Sequence, residues 1–330
     1  MLWRLPKFWL LFLLFCVSFA LHLLAVGETL DWRSMTSLTP IQQMILWELR
    51  LPRSVLAVAV GASLAVSGVA LQALFRNPLA EPSLIGISSA SALGAVLMMV
   101  LGLSLWQEVR LWQIHSAAFA FGMAGLLLIY FLANRSGRTD VAVMLLAGVA
   151  LSLIAGAMTQ FLMTLAEAQT LQGVTFWMFG SLANHPWSSV LLLVCVLAVV
   201  SVLFLRLART MNAYQLGESQ AFHLGFDTKR FAQWVLVLSA ILVSSTVALV
   251  GLIGFVGLVV PHLMRHWVGT QHQLLLPMSA LAGAVLLLLA DYLAQTILYP
   301  VEIPIGVLMA LVGAPFFLWM LLQQRKRLMV

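Results

Sequence analysis

Charged residues are scarce in this sequence. Its 330 residues include only 17 lysines and arginines and 11 acidic residues, whereas 62% are hydrophobic. The mean hydropathy of +1.04 excludes an ordinary soluble domain. Cysteine is nearly absent, since the chain has only Cys16 and Cys195, and both fall in apolar runs. No disulfide framework is therefore expected, and we interpret both cysteines as small core residues.

The motifs of several enzyme classes are also missing. The only lysines, Lys7, Lys229 and Lys326, do not follow the glycine pattern of a phosphate-binding P-loop. No HExxH, CxxC or GxSxG stretch occurs. We therefore predict that the chain is not an enzyme and that it binds no metal or cofactor of its own.

What the sequence does contain is a series of apolar runs of about 20 residues, the length at which a helix crosses roughly 30 Å of hydrocarbon. There are ten, at about 8–26, 54–74, 84–105, 111–132, 141–165, 187–205, 231–250, 251–264, 274–299 and 303–322. Lipid cannot satisfy open strand edges, so we predict an all-α membrane protein, a single domain over residues 1–330. The first run also fits a cleaved signal peptide, but its length favours an uncleaved helix.

The stretch 231–264 is too long for one crossing and short for two. Gly251, Gly254 and Gly257 offer places to break it. We predict a turn near Val250–Gly254 and then a short return helix. A broken helix at membrane depth must line a cavity or be sheltered by protein.

Small residues recur at four-residue spacing in the second run, at Ala57, Gly61 and Ala65. Such a stripe lets another helix backbone approach closely. The pattern leaves open whether that helix belongs to this chain or to a second copy.

The placement of basic residues predicts the orientation of the chain. With ten crossings and a cytoplasmic N-terminus, 13 of the 17 basic residues lie inside, and only Arg33, Arg50, Arg53 and Arg110 lie outside. Both termini are therefore predicted to be cytoplasmic. The net charge of +6 reflects this topology, so no nucleic-acid partner is expected.

Several long motifs occur in one order along the chain. They are RLPRSVLAVAVGASLAVSGVALQALFRNPLAEPSLIGISSASALGA (50–95), LGESQAFHLGFDTKR (216–230), GLIGFVGLVVPHLMRHWVGTQHQLLLPMSALAGAVLLLLAD (251–291) and EIPIGVLMALVGAPFFLWMLL (302–322). They resemble the FecCD/BtuC-like permease subunits of binding-protein-dependent ABC importers for iron-siderophores, haem and vitamin B12. The resemblance runs from about residue 45 to the C-terminus.

The resemblance implies a type II importer permease fold with ten transmembrane helices in the bacterial inner membrane. It also implies a homodimer, a periplasmic binding protein docked outside, and two ATPase subunits that bind ATP and Mg²⁺ inside. The stretches GISSASALGA, VTFWMFGSLA and GLIGFVGLVVPHLMRHWVG resemble haem permeases more than the vitamin B12 subunit. Haem is therefore the predicted cargo, with ferric siderophore and vitamin B12 as alternatives. A proton-coupled carrier acting alone is the rival class.

Arg50 and Arg53 begin the second run at its outer end. The resemblance implies that acidic residues of the binding protein dock on them, and arginine suits bidentate bonds to carboxylates. The alternative is that both side chains snorkel from a membrane end. The vitamin B12 subunit has a third docking arginine near the position of Gln295.

The polar segment 216–227 separates the sixth and seventh runs. We predict a short helix from Gly217 to Leu224, ended by Gly225, with Ala221 and Leu224 on one side. By resemblance this is the segment that couples to the ATPase, through Leu216, Gly217, Glu218, Ser219, Ala221, Leu224 and Gly225. A plain connector is the alternative.

Further residues are candidates for the gate or the translocation path: Asn77, Ser88, Ser89, Trp177, Met178 and Asp291. Asn77 also fits a rigid inner loop, and Trp177 fits an aromatic belt at the membrane boundary. Asp291 is the one acid inside an apolar run, and no basic partner is evident in another helix. Structural hydrogen bonding, a path role and proton coupling all remain open for it.

Three histidines of the sequence PHLMRHWVGTQH, namely His262, His266 and His272, are candidates for transient contact with haem iron. The same pattern also resembles relatives that carry no haem. In that alternative, His262 and His272 only hold the turn.

Overall fold

A computed structural model describes residues 6–24, 39–102, 110–135, 138–139 and 141–328. Its helices are α1 (Pro6–Leu24), α2 (Pro40–Met44), α3 (Leu51–Phe75), α4 (Ile87–Leu101), α5 (Arg110–Ala133), α6 (Val141–Thr164), α7 (Ala168–Met178), α8 (Trp187–Tyr214), α9 (Glu218–His223), α10 (Thr228–Val250), α11 (Val256–Val268), α12 (His272–Thr296) and α13 (Ile305–Leu328). A π-helical turn, Ile45–Arg50, joins α2 to α3, and a 3-10 turn, Pro82–Ile85, precedes α4. The strands β1 (Asn134–Arg135) and β2 (Arg138–Thr139) form a small antiparallel pair after α5.

The all-α prediction is confirmed. The ten apolar runs correspond to α1, α3, α4, α5, α6, α8, α10, α11, α12 and α13. Seven described helices are long and apolar enough to cross a membrane by themselves, whereas α4, α11 and α13 are not among those seven. Following the predicted orientation, we call the end that carries Arg50 and Arg53 the outer end and the end that carries 216–227 the inner end.

The intervals between the apolar runs predict outer loops at 27–53 and 166–186 and an inner loop at 206–230, but each of the three contains helical residues. Helix α8 continues beyond Leu205 to Tyr214, because amphipathic residues extend it past the apolar stretch. The connection to α10 is therefore 215–227 rather than 206–230. Within the predicted outer loop 27–53, a Thr39 capping box starts α2, which leads into α3 through the π-helical turn.

Helix α3 forms the centre of the bundle, and every residue from Ala59 to Phe75 is buried. Its close partner is α12: a Cβ added to Gly61 would collide with the carbonyl oxygen of Gly283, and one added to Gly283 would collide with that of Gly61. The small-residue stripe therefore packs on a helix of the same chain. Small residues allow this approach without a gap in the packing.

The predicted break after α10 is confirmed. The helix ends at Val250, residues 251–254 belong to no helix or strand, and Phe255, at a left-handed φ of 68°, is the N-cap of the short helix α11. A Cβ at Gly257 would meet Pro82 and the Leu64 carbonyl. Leu64 lies halfway along α3, so Gly257 and the first turn of α11 lie inside the bundle. Pro82 lies against the same glycine, which shows that the segment 76–86 turns back into the bundle after α3.

The interpretation of the two cysteines as core residues is wrong. Cys16 on α1 and Cys195 on α8 are both exposed free thiols on the outside of the bundle. Large apolar side chains around them, such as Leu13 and Leu192, are exposed as well. Hydrophobic character does not separate the core from a lipid-facing surface when the solvent is itself apolar.

Candidate transport site

A cluster of charged side chains lies at the outer end, where α3, α12 and the segment 297–304 meet. Arg53 donates from Nε to Oδ2 of Asp291 over 2.7 Å and from Nη2 to Oδ1 over 3.0 Å. The same guanidinium donates to both carboxylate oxygens of Glu302, over 3.0 and 2.9 Å. Two forked bonds of this kind fix the geometry as well as neutralising charge. Arg53 thus holds two acids at once.

Asp291 has further partners besides Arg53. His22 of α1 lies with Nε2 2.8 Å from Asp291 Oδ2, and Gln295 donates to the same oxygen over 2.8 Å. His22 Nδ1 is 2.8 Å from the hydroxyl of Ser54, which also donates to the Arg50 carbonyl. The expectation that Asp291 has no basic partner in another helix is therefore wrong. These bonds join α3 to α12 across 238 residues of sequence and α1 to α12 across 269.

The two outer arginines are in different environments. Arg50 donates from Nη1 to the Leu23 carbonyl over 3.1 Å, at the end of α1. Arg53 is more enclosed, with its side chain 14% exposed, and both of its acids belong to this chain. Nearby, burial lowers the pKa of His185, and the charge of Arg53 lowers it further, against a hydrogen bond to the Ser181 carbonyl. The neutral form of the His185 ring is therefore favoured beside Arg53.

Trp177 and Met178 lie at the C-terminal end of α7, a short helix within the predicted outer loop 166–186. Both side chains are half-buried, and the end of α7 is bonded to the break in α10–α11. Ser181 N–H donates to the Val250 carbonyl over 2.9 Å, and Gly306 N–H donates to the Phe179 carbonyl over 3.0 Å. The end of α7, the broken segment and the start of α13 are thus held together.

Glu81 was not singled out from the sequence, yet it secures the inner side of the same break. Its carboxylate accepts a short hydrogen bond from Phe255 N–H, directly before the first turn of α11. An anionic group is favourable at a helix N-terminus, where backbone N–H groups lack partners. Its only sequence signal was the Glu-Pro pair that follows Asn77-Pro78.

A second link ties α3 to α11. Gln72 is buried, and its amide donates to the Gly257 carbonyl over 3.1 Å. The amide oxygen of Gln72 accepts a short hydrogen bond from Arg265. One side chain of the central helix therefore contacts both the start and the last turn of the half-helix.

The predicted inner-gate residues lie where α3 turns toward α4. Asn77 accepts from Leu79 N–H through its side chain over 2.9 Å, which builds the turn after α3. Ser88 is buried and Ser89 half-buried in the first turn of α4. The neighbouring Gly86, at a left-handed φ of 80°, leaves no room for a side chain against the Gly148 carbonyl of α6.

The segment 216–227 contains a helix, as predicted, but a shorter one. Helix α9 spans Glu218–His223, and Gly225 follows its C-cap with a φ of 87°. Phe226 N–H donates to the Ala221 carbonyl and Gly225 N–H to the Phe222 carbonyl, the paired bonds of a Schellman motif. The prediction that Ala221 and Leu224 share one side is wrong: Ala221 is buried, whereas Leu224 is 60% exposed. Leu224 is the C-cap residue, so the helical spacing no longer applies to it.

Around α9, apolar side chains face outward beyond the membrane-spanning helices. Leu216 and Phe222 are 63% and 64% exposed, much like Leu224. A cavity of about 680 Å³ adjoins them, lined by Arg76, Leu216, Gly217, Glu218, Ser219, Gln220, Phe222, Thr228 and Lys229. An apolar patch rimmed by polar residues is typical of a protein interface.

The structure separates the three candidate histidines. The rings of His262 and His266 lie 4.7 Å apart on one face of α11, and His266 Nδ1 donates to the His262 carbonyl over 3.0 Å. His272, by contrast, is fully buried at the start of α12, where its ring and its backbone N–H contact Asn212 Oδ1. His272 therefore holds the junction between α8 and α12.

A bundle of membrane-crossing helices with a broken helix inside it, a charged cluster at its outer end and an exposed apolar patch at its inner end is typical of a multi-span transport permease. The chain belongs to the FecCD transport family, which matches residues 10–323. It is 41% identical over 315 residues to the hemin transport system permease protein HmuU of Yersinia pestis, covering 93% of this chain and 94% of that protein. It is 39% identical over 311 residues to the cobalamin import system permease protein BtuC of Halobacterium salinarum, covering 92% and 82%.

A solved structure has the same fold. It is an inward-facing metal-chelate-type ABC transporter, 36% identical, with a TM-score of 0.85 over 95% of this chain and 98% of that chain. The predicted family and its helical permease fold are therefore confirmed, and the chain is an integral membrane protein.

Proposed function

We propose that this chain is the permease subunit of an ATP-driven importer that moves haem across the bacterial inner membrane. The observation that carries the proposal is the 41% identity, over nearly the whole of both chains, to a hemin transport permease. Relatives for cobalamin and for metal chelates are also close, so ferric siderophore and vitamin B12 are the competing cargoes.

The proposed assembly has two copies of the chain, two cytoplasmic ATPase subunits that bind ATP and Mg²⁺, and a periplasmic binding protein. The exposed apolar residues around α9 support ATPase docking at the inner end, since such side chains gain stability only when a partner covers them. ATP binding would then shift the access of the path by favouring one arrangement of the helices over the other.

The proposed path runs from Trp177 and Met178 at the outer mouth to Asn77, Ser88 and Ser89 at the inner gate. On α11, His266 donates through Nδ1, which leaves Nε2 as the ring nitrogen with a lone pair. Neutral imidazole nitrogen is a common ligand of haem iron, so a transient contact at His266 suits this cargo. His272 is fully buried and takes no part in this proposal.

The cargo is tested by reconstituting the complete complex in liposomes with its ATPase subunits. Binding proteins loaded with haem, ferric siderophore or cobalamin are added from the outside, and ATP hydrolysis and uptake are measured. Haem-loaded protein is expected to give the largest stimulation of both. Greater stimulation by another loaded protein would transfer the proposal to that cargo. Uptake that persists without the ATPase but stops when the proton gradient is dissipated would overturn the importer class.

We also propose that the binding protein docks at the outer arginines. Arg50 is tested rather than Arg53, because a change at Arg53 would also break its bonds to Asp291 and Glu302 within the chain. Arg50→Glu is expected to weaken capture of the binding protein by the permease in detergent, since like charges would then face its acidic residues. Arg209→Glu, the same charge change at an exposed site on the inner end, is the matched control. Equal capture by both variants would contradict the docking proposal.

A further inference from the structure

A cavity of about 640 Å³ opens between α5 and α10 near the inner end. Its wall includes the polar side chains of Arg230, Gln233 and Tyr130. Gln233 donates from Nε2 to the hydroxyl of Tyr130 over 2.7 Å, which bridges the two helices at this level. The volume lies within the range of sites that hold a small organic ligand.

The rest of the wall is apolar. Leu126 and Leu127 lie one turn deeper on α5 than Tyr130, and Leu236 and Val237 lie deeper on α10 than Gln233. Leu127 is 61% exposed. The groove is therefore open to the surroundings of the bundle, which at this depth are lipid.

The polar and apolar residues of the groove follow one another along α10 within the thickness of one leaflet. Arg230 is the third residue of α10, and Val237 follows seven residues later. At about 1.5 Å per residue they are separated by roughly 10 Å, less than the roughly 15 Å of half a hydrocarbon core. Trp234, 52% exposed between them, is the residue type found at membrane boundaries. An occupant must therefore be polar at the inner end and apolar toward the membrane centre.

We propose that this groove binds an anionic phospholipid of the inner leaflet, with its phosphate at Arg230 and an acyl chain against Leu127 and Val237. The charge at this end favours an acidic headgroup, since 13 of the 17 basic residues are predicted to lie on this side. Basic pockets between transmembrane helices on the cytoplasmic side suit such headgroups.

The ion pair of Arg230 with Asp227 is compatible with phosphate binding at Arg230. Its Nε lies 3.1 Å from Asp227 Oδ2, and both side chains are mostly exposed, so the pair contributes little energy. A guanidinium has five N–H donors, and a phosphate binds through two of them in the same fork geometry that suits carboxylates. Contact with the ATPase is the competing role for Arg230, but it leaves the apolar wall unexplained.

The test uses the full-length protein in nanodiscs with equal amounts of phosphatidylglycerol and phosphatidylethanolamine. After extraction in mild detergent, native mass spectrometry counts the retained lipids. The protein is expected to retain phosphatidylglycerol in preference. Arg230→Gln is expected to lower that preference roughly fivefold, the effect of one basic residue near an acidic lipid. Arg206→Gln removes an exposed arginine of α8 outside the groove and should leave the preference unchanged.

The apolar part of the site is tested by Leu127→Trp, which fills the groove at an exposed position. Fewer retained molecules of either lipid are expected, whatever their headgroup. Retention without preference in the unaltered protein would overturn the proposal. An equal loss in Arg206→Gln would also overturn it, because it would show diffuse attraction to charge. If Arg230→Gln instead weakens capture of the ATPase and leaves lipid retention intact, the residue belongs to the subunit contact.

Discussion

At the scale of single residues, the outer charge cluster depends on Arg53. Asp291 is 1% exposed and is bonded to Arg53, His22 and Gln295, whereas Glu302 is half-exposed and bonded to Arg53 alone among its described contacts. Removing the cation destabilises the folded state far more for a buried carboxylate than for an exposed one, because water cannot take the place of the cation at the buried site.

Arg53→Gln is therefore expected to destabilise the protein by about 3 kcal/mol or more, the cost of leaving a buried charge without its main partner. Glu302→Gln removes the exposed acid from the same guanidinium and should cost about 1 kcal/mol or less. Thermal unfolding of both variants in detergent measures the difference. Similar unfolding temperatures would contradict the assignment of Asp291 as the main partner.

The sequence identified Asp291 and Arg53 as unusual residues but not as a pair. The two are 238 positions apart, and periodicity does not tell which helices of a ten-helix bundle touch. Glu81 was missed for the same reason, because its partner Phe255 lies 174 positions away. Residue chemistry can be recognised locally, whereas contacts across the bundle follow from the fold.

At the scale of elements, the helices themselves were predictable because each apolar run must be helical in lipid. The break at residues 251–255 was also predictable, from run length and glycines. The extent of α8 was not, since it continues as an amphipathic helix beyond its apolar run. Helix α9 is the element whose role depends most on local geometry. At six residues it is far too short to persist without its Schellman end and the packing of Ala221.

From the proposed coupling role of 216–227, Gly225→Ala is expected to lower uptake per ATP hydrolysed several-fold while membrane insertion stays normal. A side chain at a φ of 87° is strained by about 1–2 kcal/mol, which would loosen the end of α9 against the ATPase. Uptake and hydrolysis are measured together in liposomes.

Gly173→Ala is the matched control, because it makes the same change inside a helix with open space around it. Unchanged coupling in Gly225→Ala would argue that 216–227 is only a connector.

At the scale of the whole molecule, the orientation rests on the distribution of basic residues. The two connections that flank α12 each have an exposed residue that can be labelled. These are Thr270 between α11 and α12 and Val301 between α12 and α13. They lie at opposite ends of the same helix, α12, so they must lie on opposite sides of the membrane if it spans once.

In a background with Cys16→Ala and Cys195→Ala, Val301→Cys is expected to react with a membrane-impermeant maleimide from outside intact cells. Thr270→Cys should react only after the inner membrane is permeabilised. Mass shifts of the purified protein report the labelling. The reverse pattern would place both termini outside and would overturn the proposed position of the ATPase.

The broken segment between α10 and α11 behaves as a spacer of fixed length. Its start is bonded through Val250 to Ser181, just after α7, its end is bonded to Glu81, and Gln72 donates to the first turn of the half-helix beyond it. Adding or removing one residue between 251 and 255 would shift α11 by up to about 3.3 Å relative to these anchors. Gln72 would then lose its present hydrogen bonds to Gly257 and Arg265. A Cβ at Gly251, whose φ is 74°, would also collide with the Trp177 carbonyl, so neither a change in length nor a side chain at Gly251 can be absorbed locally.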